Sequence, residues 1–471
     1  MKKEQRGQWG SRFGFIMAAA GSAVGLGNIW RFPYLAGENG GGAFILIYLI
    51  FVVLIGMSVM LTEFAVGRMT DTAAVGSFRS IDNRWTFAGV LGVLSAFFIM
   101  GFYPVVGGWA IAYIYKSATG LLAAPDAIGD SFGAFITSTY EPLIWTAIFL
   151  FLNVVVVIRG ISKGIEAAGK ILMPMLFVLL IVIIGKGLTL PNAGAGLKFL
   201  FSPDFSKVNG EMLLAALGQA FFSLSLGMGC MITYGSYLKK EENLPANTFI
   251  VSGLDTLVAL MAGLAIFPAL FSFGMEPTAG PGLVFVVVPT IFAKMGGIGV
   301  ILSLIFFIAL FVAALTSSVS LLEVAASYFI DERGWSRSKA VISVATVMIV
   351  LCILASLSLG AMSEMPIPVL GVGTFDLLDI LTDKIFLAIG GVLVTVFAGW
   401  FVKKEDLKNE ITNNGSVSFG LFNVWYTLVK YVIPIVISIV ALVGIFGIEQ
   451  KAVMILGLAI IAVLAIFSKK L

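Results

Sequence analysis

Apolar runs of bilayer length, separated by short polar loops, recur along this whole chain and limit its possible folds more than any other feature. A helix needs about 20 residues to cross the hydrocarbon core. Twelve segments approach or exceed that length: 11–35, 42–69, 86–120, 142–159, 166–186, 212–238, 243–273, 296–330, 338–358, 380–402, 427–447 and 451–468. Only Gly447 to Gln450 separates the last two, so eleven spans is the alternative count. With 59% hydrophobic and 12% charged residues over 471 positions, a soluble domain is excluded. The expectation is an all-α membrane protein, because hydrocarbon leaves backbone groups no partner outside their own helix. The 53 glycines suit closely packed membrane helices. Histidine is absent, which removes Ser-His triads, imidazole metal sites and histidine proton relays. The two cysteines, Cys230 and Cys352, fall in apolar segments and read as unpaired core residues.

Roughly two-thirds of the Lys and Arg lie on the N-terminal segment and on alternate loops that share its side, which the positive-inside rule makes cytoplasmic. Lys2, Lys3, Arg6 and Arg12 begin that set, and Lys239, Lys240, Arg333, Arg337, Lys403 and Lys404 continue it. The polar start MKKEQRGQWGSR leads into an apolar run with no small-residue cleavage site, so it reads as the entry to the first span. The opposite loops are longer, and 191–211 and 276–297 are expected to form partly structured lids.

Inside the first span, GSAVGLGNIWRFP (Gly21 to Pro33) breaks the helical pattern with Gly21, Gly25, Gly27, Asn28 and Arg31. Glycine costs about 1 kcal/mol relative to alanine inside a helix, and an intramembrane arginine roughly 2.5 kcal/mol or more. Irregular backbone at that depth persists only around a cavity or within protein. Span six repeats the pattern in GQAFFSLSLGMG, where Gln219, Ser223 and Ser225 sit among three glycines. Spans one and six each open a group of five, giving repeats over 11–186 and 212–402 with two extra helices over 427–468. Interrupted helices at matching places in two halves mark a site near mid-membrane.

Unwound helix ends release carbonyls, and Asn28, Ser223, Ser225 and the triplet Thr316-Ser317-Ser318 add side-chain oxygens suited to a small hard cation. Asp255, placed near the start of span seven, reads either as an N-cap or as a cation ligand. Glu63 is positioned to accept amides freed by the breaks, and Glu323 and Asp331 are further acids within or beside spans.

GSAVGLGNIWRFPYLAGENGGGAF resembles the first-span signature of the neurotransmitter:sodium symporter family, whose bacterial members carry amino acids. NVVVVIRGISKGIE, GQAFFSLSLGMG, ALTSS and FDLLD extend the resemblance over nearly the whole chain. The resemblance implies a transporter with no enzymatic activity, built as a 5+5 inverted repeat with discontinuous helices 1 and 6. One sodium would be held at Ala23, Asn28, Ser223 and Asp255, and a second at Gly21, Val24, Ala313, Thr316 and Ser317. The substrate carboxylate would meet amides near Gly27 and the Tyr103 hydroxyl, and its amino group the carbonyls near Ala23, Phe222 and Ser225. Ile99, Phe222, Met228 and Leu321 would wall the pocket, with Ser317 beside them.

The same resemblance implies gates. Arg31 with Asp379 would close the outer side under a Phe222 cover, and Arg6 with Asp331 the inner side, helped by Trp9 and Tyr237. Trp9 is equally readable as an interfacial anchor. Amine-carrying relatives have an aspartate at position 25, and Gly25 here favours a ligand bringing its own carboxylate. Chloride-dependent relatives bind that ion near the positions of Tyr48, Gln219, Ser223 and Ala259. Ala259 offers no ligand, and Asp255 stands where asparagine is usual, so the aspartate is expected to replace chloride.

The function implied is sodium-coupled import of hydrophobic or aromatic L-amino acids across the cytoplasmic membrane, with the N-terminus cytoplasmic. No nucleic acid or obligate protein partner is implied. The alternatives are a symporter of another small amino acid or osmolyte, and an uncoupled amino-acid-binding channel.

Overall fold

The computed structural model describes residues 7–277 and 282–467, and every regular element among them is helical. In chain order come the pair α1 (Arg12–Ala23) and α2 (Gly27–Glu38), then α3 (Gly42–Thr70), α4 (Asn83–Ala118), α5 (Glu141–Ile158) and α6 (Ile161–Leu188). A second interrupted pair follows, α7 (Gly210–Ser223) and α8 (Cys230–Gly235). The chain continues with α9 (Leu244–Ser272), α10 (Gly297–Arg333), α11 (Arg337–Ser358), α12 (Thr374–Phe401), α13 (Phe422–Phe446) and α14 (Lys451–Phe467). Among the described residues nine of these helices are long and apolar enough to cross a membrane, and the α1–α2 pair, bent by 50°, makes a tenth. Each half of the α7–α8 pair is shorter than a crossing, and α14 has 17 residues.

Helix α10 lies along α4, with α5, α6 and α11 around them, while α1 sits between α6, α9 and α10. Residues such as Ile435 and Ile439 on α13 and Ile455 on α14 keep apolar side chains on the surface, as a lipid-facing belt requires. Both expected lids contain helix, at Ala193–Phe201 and Leu283–Lys294. The pairing expected between Arg6 and Asp331 falls partly outside the described residues, since Arg6 is not among them.

One boundary differs from expectation, and one residue sits deeper in its helix than a cap would. Asn243 caps α9, its side chain accepting the Ala246 amide at 2.9 Å. Asp255 therefore lies well inside the helix and is fully buried, so the N-cap reading of it fails. Helix α12 begins at Thr374 rather than near 380, which places Asp379 within the helix and Asp383 one turn deeper.

Candidate binding site at the two helix breaks

Helix α1 stops because the chain turns extended at Val24, whose amide still bonds Ala20 O at 2.7 Å. The next two amides are diverted: Gly25 N–H goes to Asn28 Oδ1 (3.0 Å) and Leu26 N–H to Tyr103 Oη (3.0 Å). A continuing helix would have aimed those donors at the carbonyls of Gly21 and Ser22. The break thus redirects the donors that Gly21 and Ser22 would have received, as sequence reasoning anticipated.

The second break runs from Leu224 to Gly229, with Ser225, Gly227 and Gly229 at positive φ (53°, 76° and 74°). Its freed Gly227 amide is taken by Glu63 Oε1 at 2.8 Å, the role expected of that buried acid. The two breaks are tied directly. Gln219 Nε2 donates to Gly27 O (2.7 Å), and Ser225 Oγ donates to Ser22 O (2.8 Å).

At that crossing Ala23, Gly25, Gly27, Ile99, Tyr103, Phe222, Ser225, Met228, Ser317 and Leu321 line one cavity. Every residue expected from the sequence to touch substrate is in that set. A Cβ added at Gly25 would stand 2.7 Å from Tyr103 Oη and 2.8 Å from Ser317 Oγ, so a side chain there would occupy the cavity itself. The wall is mainly apolar, with hydroxyls from Tyr103, Ser225 and Ser317 and the backbone at its two ends.

Beside the cavity Asp255 is fully buried, and its side-chain partners are neutral. Asn28 Nδ2 donates to Asp255 Oδ1 (2.7 Å), and Ser223 Oγ donates to both carboxylate oxygens (3.0 and 2.8 Å). Tyr48 Oη lies 3.5 Å from Asp255 Oδ2 and from Ser223 Oγ. A carboxylate held in the interior without a cation is costly. Apart from the Asn28 amide nitrogen, the side-chain atoms around this carboxylate are hydroxyl oxygens, a set that fits a small hard cation such as sodium. Ala259 lies one turn further along α9 and is also buried.

The second expected cation site joins α1 to α10. A Cβ on Gly21 would approach Thr316 Cβ to 3.1 Å, so the two helices nearly touch there. Thr316 Oγ1 donates back to Val312 O (3.0 Å) and Ala313 O (3.1 Å), leaving its lone pairs for a further partner. Ser317 faces the cavity, and Ser318 instead donates to Asn153 Oδ1 at 2.7 Å. Gly21 and Thr316 thus face each other across one interface, with Ala313 one turn before Thr316 on α10.

The gate residues divide. Arg31 pairs with Asp383 at 2.7 Å, not with Asp379, and its guanidinium lies 4.9 Å over the Phe222 ring. Asp379 contributes to the field at Arg31 from one turn away. The acid at that depth is set by where α12 begins, and the run DLLDILTDK offers three acids about a turn apart. On the N-terminal face Trp9 is buried, with Nε1 donating to Tyr234 O at 3.0 Å, so the interfacial-anchor reading fails. Tyr237 Oη donates to Glu323 Oε1 (2.7 Å), and Arg337 pairs with the same carboxylate at 2.7 Å. Asp331 Oδ2 accepts the Ala73 amide at 2.9 Å. Sequence reasoning missed Asp383, Arg337 as the partner of Glu323, and Glu166, which accepts Gly10 N–H and the Ser11 hydroxyl at the entry to α1.

Comparison with known proteins agrees with this geometry. The model of the sodium:neurotransmitter symporter family matches residues 6–127 and 137–455. A sodium-dependent transporter of Bacillus subtilis is 38% identical over 94% of this chain and 98% of its own length. One from Haemophilus influenzae is 36% identical over 94% and 99%. The crystal structure of MhsT in complex with L-phenylalanine superposes with a TM-score of 0.86 at 46% identity, covering 93% of this chain and all of that one. The chain therefore belongs to the sodium:neurotransmitter symporter family, as a sodium-dependent membrane transporter and not an enzyme.

Proposed function

We propose that this protein imports hydrophobic or aromatic L-amino acids across the cytoplasmic membrane, coupled to two sodium ions and working by alternating access. The observation that carries the reading is the buried Asp255 carboxylate, with neutral partners only, beside an apolar cavity where two helix breaks meet. Ala23, Asn28, Ser223 and Asp255 would hold one sodium, and Gly21, Val24, Ala313, Thr316 and Ser317 the other. A substrate carboxylate fits between the Gly27 end of the break and Tyr103, its ammonium group toward the carbonyls near Ala23, Phe222 and Ser225. The side chain would lie against Ile99, Phe222, Met228 and Leu321. That MhsT was crystallised with L-phenylalanine supports an apolar side chain at this place.

Residues 11–186 and 212–402 form the inverted repeats in this reading, each opened by an interrupted helix, and 427–468 are added helices. The basic N-terminal face is cytoplasmic. Arg31 and Asp383 close the outer side, while Trp9 and Tyr237 help to close the inner side. Two sodium ions moving down 100 mV and a tenfold gradient release about 7 kcal/mol, enough for steep accumulation.

Asp255 also supplies the negative charge that chloride gives in some relatives, because its Oδ2 lies beside Tyr48 and Ser223 with Ala259 one turn away. The test is uptake of labelled tyrosine, tryptophan and leucine into proteoliposomes, with inward sodium or with potassium, in chloride and in gluconate. Concentrative uptake is expected only with sodium and equally in both anions, and Asp255→Asn is expected to remove uptake in gluconate. Equilibration without sodium would make the protein an uncoupled channel. Sodium-driven uptake of none of the three would leave another small amino acid or osmolyte as the substrate.

A further inference from the structure

Ser22 and Ser320 take no part in the binding steps above, yet both are fully buried beneath the cavity. Ser22 Oγ donates to Ser320 Oγ at 2.7 Å, and Ser320 Oγ donates onward to Ser317 O at 2.7 Å. Ser22 is in the last turn of α1 and Ser320 lies on α10, so this short chain crosses the interface between them. Ser22 O also accepts the Ser225 hydroxyl from the second break. Cys230 Sγ, at the first residue of α8, lies 3.7 Å from Ser320 Oγ. Three elements therefore meet at one hydroxyl, in an interior where an unmade bond is costly.

Position gives this contact its consequence. Gly21 on α1, Val24 just past its end, and Ala313, Thr316 and Ser317 on α10 are the residues proposed above for the second sodium. Ion and hydroxyl chain would bridge the same two helices. Helix α1 joins α2 only through Val24 to Leu26, so it can swing as a unit about that hinge.

We propose that Ser320 is a positioning residue that latches α1 to α10 beneath the cavity, so that the N-terminal face opens only when the Ser22–Ser320 bond breaks. The latch rests on the sodium-coupled reading, because sodium is what reinforces it. Removing the hydroxyl strands Ser22 Oγ in the closed form, whereas water reaches it once α1 has moved. The equilibrium shifts toward opening.

Cys230 reports the opening. In a Cys352→Ala background it is the only thiol left, and it is buried at the latch. Its modification by a small methanethiosulfonate reagent is measured on the purified full chain, in sodium and in potassium. The expected result is slow labelling of the parent in sodium, and labelling of Ser320→Ala faster there by roughly two- to tenfold, the range for one buried hydroxyl bond. In potassium the two label alike. Ser320→Thr, which keeps a hydroxyl, restores slow labelling. Ser22→Ala gives the same sodium-specific increase, and the double variant labels no faster than either single one. Equal acceleration in both ions means general loosening and overturns the latch, as does an unchanged rate in sodium. A parent without sodium protection, but with sodium-driven uptake, overturns the latch alone. A parent with neither removes the sodium-coupled reading as well.

Discussion

On the far side of the cavity one ion pair, Arg31–Asp383, stands over the Phe222 ring, and both charged side chains keep some exposure, 16% and 12%. The N-terminal side is closed by a spread of buried contacts instead. Trp9 is wedged among Phe15, Tyr234 and Tyr237, Glu166 takes the Gly10 amide, and Glu323 binds both Tyr237 and Arg337. Further out, the buried Arg68 ties the end of α3 to Glu410 and to the Glu242 carbonyl. A small, partly wet cluster, in which Asp383 also meets Lys384 at 3.6 Å, gains little and breaks easily, whereas a distributed, dry set must be undone together. In the transport cycle proposed above, the difference would let the far side respond to a few side chains and the N-terminal side to a collective movement of α1.

The largest effect is expected from Arg337→Ala. Glu323 is fully buried and would lose two charged hydrogen bonds, of 2.7 and 2.9 Å, keeping only the Tyr237 hydroxyl. An uncompensated buried charge costs about 3 kcal/mol or more. Thermal unfolding of the purified variant should shift clearly downward, and sodium-driven uptake should fall below about a tenth of the parent's, one decade being about 1.4 kcal/mol. Glu323→Gln in the same chain should recover part of both, because the stranded charge is then gone. Parent-like uptake by Arg337→Ala would mean that the N-terminal face does not depend on this network, and the contrast between the faces would fail.

Asp383→Asn comes next. The guanidinium keeps a neutral acceptor but loses its charged partner, a change of about 1–2 kcal/mol for a partly solvated pair. The substrate concentration for half-maximal uptake should rise about five- to thirtyfold. Asp379→Asn should change it by less than about twofold, since that carboxylate acts on Arg31 only through space. The reverse order of effects would show that Asp379 is the working partner and that Asp383 is the bystander.

That pair also marks how far the sequence could be read. The first break was legible because glycines, Asn28 and Arg31 violate helical and membrane preferences together, and such costs in one place have few explanations. The cavity residues came from the family resemblance, position by position, and all of them meet in one space. What failed were positions set by a helix start. Apolar content says where hydrocarbon begins, not where hydrogen bonding begins, and α12 starts in polar sequence at Thr374. A difference of one turn exchanged Asp379 for Asp383, whereas the start of α9 was read correctly at 243 and Asp255 lies several turns inside it. Cross-helix pairs such as Glu323 with Arg337 were illegible for another reason. They depend on how helices are rotated against each other, and the low amphipathicity of helices buried on most sides gives no phase to read.

The smallest effect is expected from Trp9→Phe, and it tests the contrast most finely. The variant keeps an aromatic ring among Phe15, Tyr234 and Tyr237 and loses the Nε1–H bond to Tyr234 O. The Trp9 amide still reaches Tyr237 O at 3.3 Å. One neutral hydrogen bond and a little packing amount to about 1 kcal/mol, so the sodium concentration for half-maximal uptake should rise about two- to fivefold. Sodium compensates because, in the proposed site, it draws α1 and α10 together. Trp9→Ala should have a larger effect, since it removes the wedge as well as the bond. If Trp9→Phe alone matched Arg337→Ala, closure on the N-terminal side would hang on one bond, and the two faces would differ only in burial.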